Sequence, residues 1–172
     1  MIKLVPFQPD HFDALISWID NEELLITIAG SVFSFPLTHH QLQTYLDDAK
    51  SHSFTIVAEN NKAIGHAEIA ISGEGVFKID KLIIGDPSAR GKGIGEKVIN
   101  QLLEFAFTQL HAKTAELNVF DWNIGAIRCY EKCGFIKSDN KTAIFKAGDH
   151  NWTAFNMTID QENWLAQRGL MI

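Results

Sequence analysis

A strand that runs through a glycine-rich turn into a long helix is the feature that most constrains this chain. Residues 82–95 read Leu-Ile-Ile-Gly-Asp-Pro-Ser-Ala-Arg-Gly-Lys-Gly-Ile-Gly. Glycines adopt backbone angles that other residues disfavour, and they have no Cβ to keep a ligand away from the backbone. Successive amide N–H groups can therefore point at an anion at the helix N-terminus, with Arg90 and Lys92 adding positive charge. The segment predicts a phosphate-binding turn.

Two well-known phosphate-binding sequences do not fit this turn. A P-loop requires Ser or Thr after its lysine, whereas Lys92 is followed by Gly93. A dinucleotide-binding fingerprint requires a third glycine where this chain has Glu96. An NTP-binding protein is therefore disfavoured. The pattern that remains is Arg-x-x-Gly-x-Gly over residues 90–95, which an ordinary strand-to-helix connection can also carry.

A second pattern follows downstream, with the spacing Asn-x-x-Ala-x-x-x-Tyr-x-x-x-Gly-Phe. Its residues are Asn123, Ala126, Tyr130, Gly134 and Phe135. Together the two patterns resemble the acetyl-CoA site of the Gcn5-related N-acetyltransferase (GNAT) superfamily, and within it the enzymes that acetylate ribosomal-protein alanine or small amines. The resemblance implies acetyl-CoA as co-substrate. It also implies a primary amine as acceptor, on a small molecule or a peptide N-terminus.

The resemblance further implies which residues hold acetyl-CoA. Family members splay two strands apart, pair the pantetheine amides with the backbone of one, and place the pyrophosphate on the glycine turn. Asn123 would hydrogen-bond pantetheine, and Tyr130 would donate a proton to, or hydrogen-bond with, the departing thiolate. The implied cofactor-binding set is Leu82, Ile83, Ile84, Arg90, Gly91, Lys92, Gly93, Ile94, Gly95, Asn123, Ala126 and Tyr130.

The attacking amine must be neutral, although alkyl amines are mostly protonated at pH 7. By resemblance to aminoglycoside 6′-N-acetyltransferases, which share the Ile-Asp run before the glycine turn, Asp80 is the first candidate for the base. Glu68, on the neighbouring strand, is the second, and a water chain is a third route for the proton. Since aspartate is disfavoured within a strand, Asp80 either serves the site or pairs with a cation such as Lys78 or Lys81.

Composition narrows the class of protein and its partners. The 172 residues are 46% hydrophobic, enough to bury the core of a single domain over residues 1–172. The net charge of −6 disfavours nucleic acid and anionic membrane as partners and suits a cationic substrate. No apolar run approaches the roughly 20 residues that span a bilayer, and no signal peptide is evident. We therefore expect a cytoplasmic protein.

Cysteine, histidine and aromatic positions carry weaker indications. Cys129 and Cys133 are predicted to be buried, reduced packing residues, and the seven histidines show no metal-ligand spacing, so we expect no metal. The apolar segment 24–35 either shapes an acceptor pocket or packs in the core. One or more of three tryptophans can support a homodimer, as in many relatives of this family: Trp122, Trp152 and Trp164.

Hydrophobic periodicity predicts one α+β domain with a mixed, mostly antiparallel central sheet flanked by helices. The resemblance implies a GNAT-like domain whose sheet is splayed at the acetyl-CoA site. Strands are predicted at 2–5, 53–59, 63–71, 76–84, 115–120, 141–146 and 153–159. Helices are predicted after an Asp10 N-cap, over Thr38–Ala49 with Gln41 completing a capping box, over 95–110, and over 123–133.

An acetyl-CoA-dependent N-acetyltransferase is the function that these patterns favour. The alternative from another class is a catalytically silent CoA-binding module that acts as a sensor or interaction protein. Tyr130 and Asn123 are both present, which favours the enzyme.

Overall fold

The computed structural model describes residues 1–48 and 50–169, which form α-helices and a seven-stranded mixed sheet. The predicted α+β class is thereby confirmed. In chain order the elements are β1 (Ile2–Pro6), α1 (Phe12–Trp18), α2 (Glu22–Ala29), α3 (His39–Leu46), β2 (Ser51–Ala58), β3 (Ala63–Gly73), β4 (Val76–Ile84), α4 (Ile94–Glu104), β5 (Thr114–Phe120), α5 (Ile124–Lys132), β6 (Ile136–Ala147), β7 (His150–Asp160) and α6 (Gln161–Gln167).

The chain divides into two compact units, and β4 and α4 contribute to both. The first unit comprises Met1–Ala70 and Asp80–Val98, and the second comprises Ile71–Ile79 and the chain from Ile99 onward. In the first unit the strand order is β1-β2-β3-β4, and β2 is antiparallel to both β1 and β3. That residues 1–172 form a single domain stays a prediction.

In the second unit the strand order is β4-β5-β7-β6. Strand β4 is parallel to β5, whereas β7 is antiparallel to both of its neighbours. The mixed, mostly antiparallel sheet is therefore confirmed. The register of β4 with β5 runs from Val76 opposite Thr114 to Lys78 opposite Glu116. That the strands separate to admit acetyl-CoA stays a prediction.

Helices α1, α2 and α3 bury their apolar faces in the core of the first unit. This burial follows from apolar residues that recur at helical spacing. The cluster contains Phe7, Phe12, Leu15, Ile19, Leu25, Leu37, Leu42, Tyr45 and Ile83. Leu25 and Ala29 belong to the segment that was predicted either to shape a pocket or to pack in the core, and both are buried.

The amphipathic stripe of α4 supplies fully buried residues, as its periodicity predicts. The helix continues into a π-helical turn, Phe105–Gln109, in which the Leu110 amide donates to the Phe105 carbonyl at 3.1 Å. In the second unit the ring of Phe107 packs 5.1 Å from that of Trp164. The buried residues of the stripe are Val98, Ile99, Leu102, Leu103 and Ala106.

One predicted helix start and one predicted capping box differ from the structure. Asp10 does not cap α1, because Pro9 opens a short 3-10 turn that Gln8 caps, and α1 begins only after His11. Thr38 does cap α3 by accepting from the Gln41 amide. The Gln41 side chain donates instead to the carbonyls of Ser34 and Pro36, and Ala49, the predicted end of this helix, lies outside the described residues.

Helices α2 and α6 were not predicted, although both carry start signals. The Asn21 side chain accepts from the Leu24 amide at 2.8 Å, and the Asp160 side chain accepts from the Asn163 amide at 2.8 Å. Acidic residues occupy the first turn in both helices, which favours helix formation at that end. Strands β6 and β7 extend beyond their predicted bounds. Both helices were missed because each is only two turns long, too short for a clear hydrophobic period.

Gly65 lies where β3 passes closest to β4. A Cβ added there would lie 2.3 Å from the Ile83 carbonyl oxygen and 2.8 Å from the Ile56 side chain. We therefore expect Gly65→Ala to lower the free energy of unfolding by about 1–3 kcal/mol, the usual cost of overpacking. Urea denaturation measures the loss. Gly125→Ala is the control, since its added Cβ meets nothing within 4 Å, and an equal loss in both variants would contradict this reason.

Candidate active site

The predicted phosphate-binding turn joins β4 to α4 and has an open backbone. After Ile84 the chain passes through a 3-10 turn at Pro87–Ala89 before α4 begins. Gly91 and Gly93 have left-handed φ values of 72° and 69°, and a Cβ added to either would meet nothing within 4 Å. The backbone of the turn can therefore be approached closely by a ligand, while the first amides of α4 lack partners within the helix.

The side chain of Arg90 stabilises the start of this turn. Its Nε donates to the Ile84 carbonyl at 2.9 Å, and its Nη2 donates to the Gly85 carbonyl at 3.1 Å. These two bonds tie the turn to the last residue of β4. The Arg90 guanidinium therefore stabilises the turn through the backbone. Its predicted contact with the cofactor stays a prediction.

Asp86 anchors the same turn from the other side. Its carboxylate accepts from the Ser88 amide at 2.8 Å and pairs with the Lys62 ammonium at 2.5 Å. Lys62, and then Ser88, hold the pKa of Asp86 down to about 2. The Gly85 and Asp86 amides both donate to the Ile64 carbonyl. The turn is thus fastened to β3 and to the β2–β3 connection before any ligand arrives.

A cavity of about 630 Å³ opens beside the turn, within the first unit. Lys62, Lys92 and Lys97 line it, and so do the carboxylates of Glu59 and Asp86, of which Asp86 is already paired with Lys62. Cationic side chains beside an open glycine turn suit a ligand that carries phosphate groups.

Two oppositely charged residues, Asp80 and Lys81, lie in the middle of strand β4. Lys81, which follows Asp80, has a left-handed φ of 49°. Its ammonium lies 2.7 Å from Glu68 Oε1 and 4.0 Å from Asp80 Oδ2. The side chains of Lys81 and Glu68 are 8% and 5% exposed, whereas that of Asp80 is 26% exposed. The structure thus brings both proposed bases to one ammonium.

Sequence reasoning missed two polar residues buried beside this ion pair. The Tyr45 hydroxyl lies 3.2 Å from His66 Nε2, and the Tyr45 ring lies under the Lys81 ammonium at 5.2 Å. Burial, followed by the charge of Glu68 and the hydrogen bond to it, raises the pKa of Tyr45 far above its usual value. Tyr45 is therefore neutral at pH 7. The signal that could have found His66 is a histidine in the apolar core of a strand, two residues before a glutamate.

Burial also lowers the pKa of His66 to about 3, with the charges of Lys81 and then His11 acting in the same direction. The His66 ring is 2% exposed, and it packs edge-on against Phe7 at 4.5 Å. A buried neutral imidazole favours the folded state only while it stays unprotonated.

Trp18 closes the end of β4 next to the turn. A Cβ added to Gly85 would lie 2.0 Å from the indole, so the ring rests on the glycine backbone. Phe33 packs at the edge of the same core, with its ring 5.4 Å from that of Tyr45. Val32 and Phe35 are 61% and 41% exposed. The predicted acceptor-side segment therefore has a packed part and an exposed part.

The second unit holds the other predicted site residues on α5. Asn123 is the N-cap, and its side chain accepts from the Ala126 amide at 3.3 Å. Tyr130 is half-buried, and its ring lies 6.2 Å from that of Phe135. Gly134, with φ 95°, ends the helix as predicted. The two residues named for pantetheine and the thiolate thus share one short helix.

Other aromatic and sulfur positions have structural contacts. Trp122 and Trp152 pack edge to face at 5.1 Å, and a homodimer stays a prediction. Cys133 is buried as predicted, whereas Cys129 is only partly buried. Across residues 1–48 and 50–169, three or more His, Cys, Asp or Glu side chains never group as metal ligands would. None of the helices described is long and apolar enough to span a membrane.

The glycine turn after β4 and the N-capped start of α5 both fall within the residues that an acetyltransferase family model matches. The family model described as Acetyltransferase (GNAT) family matches residues 15–135. The chain belongs to this family, and it is an acyltransferase enzyme. The α+β architecture is that of a GNAT domain.

Curated relatives carry the same class of name. The chain is 23% identical over 155 residues to an N-acetyltransferase 9-like protein of Caenorhabditis briggsae, covering 83% of this chain and 78% of that protein. It is 32% identical over 95 residues to aminoglycoside N(6')-acetyltransferase type 1 of Klebsiella pneumoniae, covering 48% of this chain and 47% of that one.

A solved structure with the same fold is spermidine N-acetyltransferase from Vibrio cholerae in complex with CoA and spermine. The two structures superpose with a TM-score of 0.81 at 21% identity, covering 95% of this chain and 98% of that one. At this identity the likeness shows the fold.

The buried His66 predicts an acid-dependent loss of stability. The unfolded chain takes up a proton near pH 6.5 and the folded protein only near pH 3, so stability falls as the pH falls through that window. From pH 7 to pH 4.5 we expect His66 to contribute a loss of about 2–3 kcal/mol. Urea denaturation at both pH values measures it. His66→Gln should lack this part of the loss, while the exposed His40→Gln should keep it, and equal slopes in all three proteins would contradict the assignment.

Proposed function

We propose that this protein transfers the acetyl group of acetyl-CoA to a primary amine, on a small molecule or a protein N-terminus, by direct attack of the neutral amine. The observation that carries the proposal is the open glycine turn at the head of α4. Gly91 and Gly93 leave 4 Å of space where a side chain would stand, and Lys62, Lys92 and Lys97 surround the adjoining cavity. These features fit a ligand with a pyrophosphate group.

Acetyl-CoA supplies the acetyl group as a thioester. The amides from Gly91 to Gly95 would hold its pyrophosphate, and the backbone of Leu82, Ile83 and Ile84 would pair with pantetheine. These three residues lie beyond the part of β4 that is in register with β5, which supports that role. Positioning of this kind accounts for much of the rate enhancement in group transfer.

Asp80 is the base that the contacts favour. Its carboxylate is one-quarter exposed and can meet an incoming ammonium group. Glu68 is buried and bonded to Lys81 at 2.7 Å, so its charge is already balanced. Tyr130 would donate a hydrogen bond or a proton to the thiolate that leaves. An ordinary phenol keeps its proton at pH 7 and so remains a donor, although full transfer of the proton to a thiolate is uphill by about 1.5 pH units.

Small cationic amines are the acceptors that the relatives favour. Two of the similar proteins are named for spermidine and aminoglycosides, both of which are polyamines in the chemical sense. The net charge of −6 attracts such cations at low ionic strength. Amines of this class therefore come first in the assay.

The function is tested by thiol release from acetyl-CoA with a panel of polyamines, aminoglycosides, amino acids and N-terminal peptides. We expect turnover with one amine class. Tyr130→Phe should lower kcat about tenfold or more while acetyl-CoA still raises the melting temperature as it does in the wild type. Thermal stabilisation without turnover across the panel would favour the silent CoA-binding module, and absence of both would end the proposal.

The glycine turn yields a separate prediction about binding. Gly93→Leu should weaken acetyl-CoA binding about tenfold or more, because its side chain would occupy the space proposed for the pyrophosphate. Isothermal titration measures the affinity. Gly169→Leu is the matched control, since Gly169 has a similar φ of 65° and equally open surroundings, so both variants carry the same backbone strain of about 1–2 kcal/mol. Equal affinities in the two variants would refute the assignment of the turn.

A further inference from the structure

The charged side chains of two consecutive residues of β4, Asp80 and Lys81, lie close to each other. Successive side chains of a regular strand point to opposite faces of the sheet. Asp80 and Lys81 break this rule, because the Lys81 ammonium lies 4.0 Å from Asp80 Oδ2. The left-handed φ of 49° at Lys81 is the local cause, since such a residue interrupts the alternation of a strand. A non-glycine residue keeps this conformation only where its surroundings impose it.

The Lys81 ammonium is held from three directions. Glu68 on β3 accepts its hydrogen bond at 2.7 Å, and the Tyr45 ring on α3 lies 5.2 Å away. The third contact is Asp80 itself. Besides burial, the charge of Glu68 raises the pKa of the Tyr45 hydroxyl. If the Lys81 ammonium moved away from Glu68, a buried charge would be left unpaired, which is costly. The ammonium is therefore held in a fixed position beside Asp80.

The main chain of the same residue also holds Asp80. The Lys81 amide donates to Asp80 Oδ1 at 2.9 Å, so one residue contacts both carboxylate oxygens. Of the three charged side chains, Asp80 is the most exposed, at 26% against 8% for Lys81 and 5% for Glu68. Of the two carboxylates, that of Asp80 is therefore the more accessible to a ligand.

We propose that Lys81 is a positioning residue for acetyl transfer: it neutralises Glu68 and fixes the Asp80 carboxylate as the group that takes the proton of the acceptor. This inference rests on the proposed function. The N–H bond of the acceptor ammonium breaks and an O–H bond forms on Asp80. The electron pair that stays on nitrogen then attacks the thioester carbonyl and forms the C–N bond. The C–S bond breaks, and the departing thiolate takes up the second proton lost from nitrogen, by way of the Tyr130 hydroxyl. Glu68, already bonded to Lys81, takes no part in this transfer.

Loss of the ammonium would change how the site holds protons. Without Lys81, two carboxylates share the site with no cation, and the pair retains a proton to higher pH. Titratable groups beside the trio include His66 on β3 and Tyr45 on α3, and both are neutral between pH 5 and pH 9. The acid limb of the rate profile therefore reports the carboxylates.

The experiment is the pH dependence of kcat/KM, with the amine found in the panel, for the wild type and five variants: Lys81→Met, Lys81→Arg, Asp80→Asn, Lys81→Met combined with Glu68→Gln, and Glu68→Gln alone. Lys81→Met should lower kcat about tenfold or more and move the acid limb up by about one pH unit, with the KM for acetyl-CoA unchanged. Lys81→Arg keeps the cation and should return the acid limb towards its wild-type position. Asp80→Asn should abolish the limb.

The fourth variant keeps the test valid if Lys81→Met fails to fold. Glu68→Gln combined with Lys81→Met removes both partners of the ion pair, leaves no buried charge unpaired, and keeps Asp80. We expect this protein to fold, with an acid limb near that of the wild type and a lower kcat. A wild-type kcat in this variant, or activity in Asp80→Asn that is lost in Glu68→Gln, would overturn the proposal.

A measurement without turnover separates this inference from the proposed function. The ammonium of a buried lysine exchanges slowly enough to be followed by nitrogen NMR, and the Lys81 signal should shift as Asp80 titrates. The shift should persist in Glu68→Gln and vanish in Asp80→Asn. If the shift is present and the wild type turns over no amine, the proposed function fails while the coupling stands. If turnover is present and the shift is absent from the wild type, the positioning role fails alone.

Discussion

The buried ion pair between Glu68 and Lys81 is the interaction on which the arrangement of the first unit depends. Each charge loses several kcal/mol of hydration when it is buried, by order of magnitude, and only close pairing with further hydrogen bonds restores the balance. The 2.7 Å contact between Lys81 and Glu68 and the Tyr45 ring 5.2 Å from the ammonium supply that compensation. Since the partners come from β3, β4 and α3, these three elements must assemble together. The left-handed backbone at Lys81 is the strain that this assembly imposes.

A second constraint fixes the glycine turn before any ligand binds. Arg90 holds the turn to the end of β4, and Asp86 holds it to Lys62 through a short ion pair. Trp18 covers the backbone at Gly85. Because these contacts use side chains around the turn and leave Gly91 and Gly93 open, the backbone is ordered and still accessible. A site organised in this way loses little conformational entropy when it binds.

Much of this architecture was predictable because it is encoded in local patterns. The bounds of β4 follow from an apolar run between two glycine turns, and the ends of α5 follow from Asn123 as N-cap and Gly134 as terminator. Helix α2 was missed because it is short and its apolar residues show no clear helical period. Its start signals are the Asn21 N-cap and the acidic residues of its first turn. The start of α1 was misplaced because Pro9 opened a separate 3-10 turn. Local signals of one or two residues are easily outweighed by neighbours.

The sequence by itself determined the glycine turn, the capped helix that carries Tyr130, the α+β class and the GNAT family, because each depends on residue type and spacing along the chain. Only the tertiary structure decided how the charges are shared. It placed Lys81 between Glu68 and Asp80, buried one carboxylate and left the other exposed. It also hydrogen-bonded the Arg90 side chain to the carbonyls of Ile84 and Gly85. The physical reason is that burial and ion pairing depend on distances between strands and helices, which spacing along the chain does not fix.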